Sequence, residues 1–359
     1  MEFISEYGLF LLQAITIVIA ILAVVSGIVS LTMRQHGMKS DETLELTDIN
    51  EKYESMNSAL KQALLDPGAQ KLAAKAEKKK KKAEAKQQAK EAKKLAKKGL
   101  AIEDQGVAEK KHLFVLDFDG DIKASPVDTM REEITALLTL ASENDEVLIR
   151  LESGGGAVHS YGLAASQLQR IRDRNIPLTV SVDRVAASGG YLMACVADKI
   201  IAAPFAIIGS IGVIAQIPNI NRVLKKHDVD IEQLTAGKYK RTLTMLGENT
   251  DEGRQKMQEE LEEVHTQFKG FVSSRRPDMD IEQVATGEHW LGQRALELGL
   301  VDELQTSDDY LMAQSETANI LKLKYTGQLT LLEKIGARMS MLMGKVEKHA
   351  QEESYPKLM

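Results

Sequence analysis

The chain has 359 residues, 43% of them hydrophobic and 27% charged, with a net charge of −6 and one cysteine. That length and balance give room for one or two domains with real cores and exclude disorder throughout. A single cysteine, Cys195, excludes a disulfide framework and a cysteine-based zinc cluster, and its apolar setting MACVA marks it as a buried structural thiol.

From the N-terminus, Tyr7 to Met33 carries no charge and is long enough to cross a hydrocarbon core of roughly 30 Å as a helix. A cleaved signal peptide fits less well, because Glu2 and Glu6 stand where basic residues belong and no A-x-A site follows. The expectation is a retained anchor over residues 1–34. Arg34 and Lys39 follow the span and only acids precede it, which by the positive-inside rule puts the bulk of the protein in the cytoplasm. Large domains translocate despite so small a bias, and a periplasmic location stays open.

Residues 40–70 read as one or two amphipathic helices broken at Asp66-Pro67-Gly68. Lys71 to Lys98 then holds thirteen lysines against three glutamates, a local +10 that leaves −16 for the remainder. Good helix formers without an apolar stripe make a solvated helical spacer over 35–110. Contact with anionic lipid is the sharper alternative. The acidic remainder and only 4% aromatics argue against nucleic acid as a partner.

From Lys111 the texture changes. KHLFVLDFDGDI opens with an apolar strand, MREEITALLTLA is helical, EVLIRLES is a buried strand, GLAASQLQRIRD a helix and IPLTVSVD a strand. SGGYLMACVAD is a short helix, KIIAAPFAIIGSIGVIA supplies further strands, and helices follow over 251–275 and 281–300. Repeated strand–helix units predict an α/β domain with a mainly parallel sheet, closing near residue 306. The remainder, 307–359, reads as a helical tail for packing or oligomerisation.

Three stretches carry candidate chemistry. Gly154-Gly155-Gly156 directly follows a strand, and glycines there let backbone N–H groups approach a ligand; a plain tight turn is the competing reading. Ser188, in VAASGGY, follows a strand and opens a helix of small residues, where free N–H groups favour a developing oxyanion; an ordinary N-cap serine is equally consistent. Lys240 ends GKYK. An amine is a base only when neutral, so a catalytic lysine must be desolvated. No histidine lies between Ser188 and His227, and His227 sits in the charged run KKHDVD. His159 follows the glycine turn, where it reads as a half-exposed side chain with a substrate-groove role as the alternative, and His265 and His289 lack an acidic partner at a recognisable spacing. A Ser-Lys dyad is the economical arrangement.

GGG after a strand, then ASGGYLMA, GSIGV and GKYK, resembles the S49 signal peptide peptidase family within the Clp/crotonase superfamily. The N-terminal EYGLFLLQ, the lysine-rich spacer and GKYKRTLTMLGENTDEGR are similar to its branch of probable bacterial inner-membrane proteases. The resemblance implies Ser188 as nucleophile, Lys240 rather than Lys238 as general base, and the backbone N–H groups of Gly156 and Gly189 as oxyanion hole. It also implies a spiral of β-β-α units, a homo-oligomer, an anchor in lipid, and metal-free, ATP-independent cleavage of extended peptides such as signal-peptide remnants or unfolded segments. No cofactor is expected.

Two rivals share these features. A crotonase-like acyl-CoA enzyme uses glycine-rich oxyanion loops without a serine nucleophile, and a non-catalytic membrane scaffold could keep the fold. VLDFDGD resembles motif I of haloacid-dehalogenase-type phosphatases, with Asp117 and Asp119 in the acidic roles, but Asp121 stands where Thr or Val belongs. As an EF-hand loop it fails, with Ile122 where glycine is required and Asp128 at the twelfth position.

Overall fold

The computed structural model describes Thr16, residues 43–64 and residues 110–326. The chain forms two compact units, 1–43 with 326–359, and 44–325. The anchor expected over 7–33 lies outside the described residues apart from Thr16, as do most of the spacer and the tail beyond 326. No helix among the described residues is long and apolar enough to cross a membrane.

The second unit is an α/β fold on a ten-stranded mixed sheet. The strands are β1 (Thr43–Asp48), β2 (His112–Gly120), β3 (Glu146–Ser153), β4 (Leu178–Val182), β5 (Val185–Ala187), β6 (Lys199–Ala202), β7 (Ile207–Gly209), β8 (His289–Leu291), β9 (Glu303–Leu304) and β10 (Asn319–Thr326). They run β1-β10-β2-β3-β4-β6-β9, with β5, β7 and β8 forming a branch off β3. The pairings of β2, β3 and β4 with their neighbours are parallel, and only β7–β8 is antiparallel among the registers described.

β2 and β3 read as nearly unbroken apolar runs because both faces of this sheet are covered. Alternation sorts their side chains. Phe114, Leu116, Phe118 and Ile149 face a large core with helices α2 (Val127–Leu137), α3 (Val158–Arg172) and α4 (Gly189–Ala194). Leu113, Val115 and Leu148 face a smaller cluster with Ile49, Tyr310, Leu311 and Ile320. Each of these side chains that is fully buried contributes about 1.5–3 kcal/mol relative to exposure.

That second cluster changes two boundaries. Ile49 belongs to helix α1 (Ile49–Ala63), so residues 44–63 join the compact unit instead of the spacer. Tyr310 and Ile320 lie beyond residue 306, where the sequence closes the domain, yet both are core and β10 pairs with β2, one strand in from the edge of the sheet. The unit therefore runs to Tyr325. The segment after β7, read from sequence as further strand, carries none between 210 and 220. Ser210 turns to a φ of 52° and ends the ladder.

Candidate active site

The branch β5–β7–β8 builds the site. Ser153, the last residue of β3, is in register with Ala186, and Ala187 with Gly209. Ser188 alone joins β5 to α4. Its φ of 51° and ψ of −118° fall in a region that residues with a Cβ avoid, at a cost on the order of 1–3 kcal/mol. Two backbone bonds hold it there: the Ser188 N–H donates to the Gly209 carbonyl at 2.8 Å, and the Leu192 N–H donates to the Ser188 carbonyl at 3.0 Å. The Ser188 hydroxyl makes no capping bond to the helix, so the N-cap reading does not account for it. The side chain is half-buried beside a cavity of 290 Å³.

The glycine turn lies directly against this serine. Gly155 has a φ of +84°, and a Cβ there would sit 2.6 Å from the Gly189 nitrogen and 2.8 Å from the Ser188 Cβ. Gly156 presses on strand β2's exit, where a Cβ would meet the Ile122 carbonyl at 2.1 Å. The Ala157 N–H donates to that same carbonyl at 2.8 Å. Gly156 and Gly189 both line the cavity with Ser188. Among the described residues neither of their N–H groups donates a hydrogen bond to protein.

Tyr161, which no sequence motif marks, ties these parts together. Its hydroxyl donates to the Asp121 carbonyl at 2.7 Å and lies 2.5 Å from the Ser153 hydroxyl. Ser153 Oγ in turn accepts the Gly155 N–H at 3.0 Å. The Tyr161 ring lies under Gly189, where a Cβ would come 2.5 Å from its Cγ. Burial pushes the Tyr161 phenol up, so it stays a neutral donor. The rest of the cavity is largely apolar, walled by Leu192 and by Val264, Phe268 and Phe271 of helix α6 (Asp251–Arg275), with Gln267 and Ser166 as its polar members.

Lys240 stands apart. It ends an exposed turn in which its N–H donates to the Gly237 carbonyl at 3.2 Å, and no hydrogen bond joins its side chain to Ser188. Lys238 is engaged elsewhere: its ammonium lies 2.6 Å from Glu252 and 4.9 Å from the Tyr239 ring centre. The hydrogen bond to Glu252 raises its pKa further from neutrality, which suits it to be a cation and not a base. The segment around Lys240 leaves apolar side chains uncovered, with Ile214 and Leu234 85% and 94% exposed.

The other candidates lie elsewhere or are occupied. His159 and His289 are exposed, and His227 caps the short helix α5 (Asn221–Lys226) from outside. Asp117 is held at 2.6 and 2.8 Å by the Arg150 guanidinium and at 2.5 Å by Lys322. Cys195 is buried, and burial pushes its thiol up to about 12.

A strained serine at a strand–helix junction, packed on a glycine turn beside a largely apolar cavity, has the geometry of a strand-to-helix turn that can present a nucleophile in an α/β scaffold. Residues 2–168 match Peptidase family S49 N-terminal and residues 170–321 match Peptidase family S49. "Probable protease SohB" of Haemophilus influenzae is 52% identical over 335 residues, covering 93% of this chain and 92% of that protein. "Probable protease SohB" of Buchnera aphidicola subsp. Schlechtendalia chinensis is 47% identical over 314 residues, covering 88% and 100%. The chain belongs to peptidase family S49. Among solved structures, a mutant of the 1510-N membrane-bound stomatin-specific protease in complex with a substrate peptide is 14% identical, covers 65% of this chain and 99% of its own, and has a TM-score of 0.40.

Proposed function

We propose that the chain is a membrane-anchored serine endopeptidase with Ser188 as nucleophile and Lys240 as general base. The observation that carries this reading is the Ser188 backbone, strained at φ 51° with its hydroxyl free of the helix and open to the cavity. Strain of this kind persists only where the surroundings over-determine it, and such strain clusters at reacting groups.

In this mechanism Ser188 Oγ attacks the scissile carbonyl while the neutral Lys240 amine takes the hydroxyl proton. The N–H groups of Gly156 and Gly189 receive the oxyanion. Collapse breaks the C–N bond, and the ammonium of Lys240 returns its proton to the leaving amine. Water then attacks the acyl-enzyme, giving a proton to Lys240; collapse breaks the ester C–O bond, the Lys240 ammonium returns that proton to Ser188 Oγ, and the acid product leaves. The substrate is an extended peptide.

Lys240 must leave water to act, and in the single chain its turn is exposed. The uncovered Ile214 and Leu234 support assembly with further copies of this chain, which would desolvate the 214–250 segment. The reading also includes a β-β-α spiral fold, an anchor over 7–33 and residence in the bacterial inner membrane.

The test is turnover of an unstructured fluorogenic peptide by the full chain in detergent. Ser188→Ala and Lys240→Ala are each expected to abolish it; unchanged turnover in Ser188→Ala would sink the proposal. Saturable acyl-CoA binding in place of peptide cleavage would favour a crotonase-like enzyme. A folded, assembled chain inert to peptides and to a serine-directed phosphonate would favour a scaffold.

A further inference from the structure

Two glycines near the site, Gly154 and Gly162, are explained by neither backbone conformation nor packing, and of the two only Gly162 lines the cavity. It lies within helix α3, with a φ outside the left-handed region. A Cβ built there meets nothing within 4 Å, in contrast to Gly155, Gly156 and Gly189, where a Cβ would strike backbone or ring atoms. Glycine inside a helix is less stable than alanine because it loses more backbone freedom on folding. The fold would therefore gain by a methyl group at this position. What glycine preserves is space, since Gly162 lines the cavity that opens on Ser188.

The wall around that space is mostly hydrocarbon, with the Gln267 amide as its larger polar group. Ala165 and Ser166, one turn further along α3, keep the same side shallow, and Leu192, Val264 and Phe268 supply apolar surface. The Gly189 N–H and Ser188 stand at the same cavity, so a side chain inside it belongs to the residue next to the attacked bond.

We propose that Gly162 is a specificity-determining residue: the room left by its missing side chain admits leucine or phenylalanine at the substrate residue whose carbonyl Ser188 attacks. This rests on Ser188 as the nucleophile. A methyl group at 162 shortens the pocket for leucine and phenylalanine, while an alanine side chain stops short of that wall. One methylene in an apolar pocket discriminates by about 10- to 200-fold in kcat/KM.

The experiment uses the full chain in detergent with three matched fluorogenic peptides carrying alanine, leucine or phenylalanine at that residue. Turnover is measured in wild type, Gly162→Ala and Gly162→Ser. Binding of the same peptides is measured by fluorescence anisotropy in Ser188→Ala, alone and combined with Gly162→Ala. Melting temperature and oligomer mass are read for every variant. Gly162→Ala is expected to lower kcat/KM and affinity for the leucine and phenylalanine peptides by about tenfold or more, leave the alanine peptide unchanged, and raise Tm by about 1–4 °C. Gly162→Ser is expected to give the same order of peptides.

An unchanged leucine-to-alanine ratio, an equal loss on all three peptides, a lowered Tm or an altered oligomer mass would each overturn the role of Gly162. The two claims separate cleanly. Absent wild-type turnover with a selective loss of leucine affinity in the double variant removes the nucleophile and keeps the pocket. Normal turnover with no shift in selectivity removes the pocket alone.

Discussion

Gly154 and Gly155 are neighbours in one turn, yet the geometry gives them opposite tolerance to a methyl group. At Gly155 the φ of +84° costs a residue with a Cβ about 1–2 kcal/mol. The new carbon would also stand 2.6 Å from the Gly189 nitrogen, 2.7 Å from the Ala187 carbonyl and 2.8 Å from the Ser188 Cβ. None of these is the far end of a flexible chain, so relief requires the serine junction to move, at about 1–3 kcal/mol of overpacking. Together Gly155→Ala should destabilise by about 2–5 kcal/mol, a fall in Tm of roughly 4–20 °C for a domain of this size. The movement also displaces the Gly189 N–H, and a misplaced oxyanion donor costs about 100- to 1,000-fold in kcat. Gly154→Ala meets nothing within 4 Å and needs no left-handed backbone, so its Tm should stay at the wild-type value or rise by up to about 4 °C. Scanning fluorimetry and peptide turnover on the two variants give the contrast. Equal damage from both substitutions, or a Gly155→Ala protein with wild-type Tm and kcat, would refute the claim that the turn is braced against the serine.

Tyr161→Phe removes the hydroxyl that pairs with Ser153 Oγ and the Asp121 carbonyl. Leaving those groups unpaired should cost about 1–3 kcal/mol by chemical denaturation, with kcat falling more than KM changes. Lys238→Ala breaks the ion pair with Glu252 and should leave peptide turnover near wild type, whereas Lys240→Ala should abolish it; loss of turnover in Lys238→Ala alone would reverse the assignment of the base. Acid stability gives a separate check on Asp117. Burial works against its charge, but hydrogen bonds from Arg150 and Lys322 outweigh it and hold the carboxyl below the usual range. A depressed folded pKa contributes stability that is present above the unfolded value of about 3.9 and is lost as pH falls through the folded value. Tm should therefore fall less steeply below pH 4 in Asp117→Asn than in wild type, and parallel Tm–pH curves would contradict the pairing.

Much of this fold was legible because its central strands are apolar on both faces. LFVLDF and VLIRLE could be placed as buried strands from composition alone, and the parallel pairing of β2 with β3 agrees with that. The edges were harder. Residues 44–63 touch the core mainly through Ile49 and Tyr53, too few contacts to distinguish that helix from a solvated spacer. β10 was read as part of a tail because its place between β1 and β2 is a long-range pairing that leaves no local signal.

At the site, Ser188 and the glycine turn stood out through residue type and order. The bracing of that turn did not, because Ser153 and Tyr161 look like an ordinary strand end and an ordinary core aromatic until their hydroxyls meet. Lys240 could be singled out by motif, but its exposure in one chain is a property that sequence spacing does not carry.

The central claim is that the Ser188 hydroxyl is the group that attacks substrate. Peptide-mapping mass spectrometry of the full chain after reaction with a peptidyl phosphonate tests it most directly. One adduct is expected, on Ser188, forming far more slowly in Lys240→Ala and absent in Ser188→Ala. An adduct on a different residue, or unchanged labelling of the Ser188→Ala protein, would contradict the account.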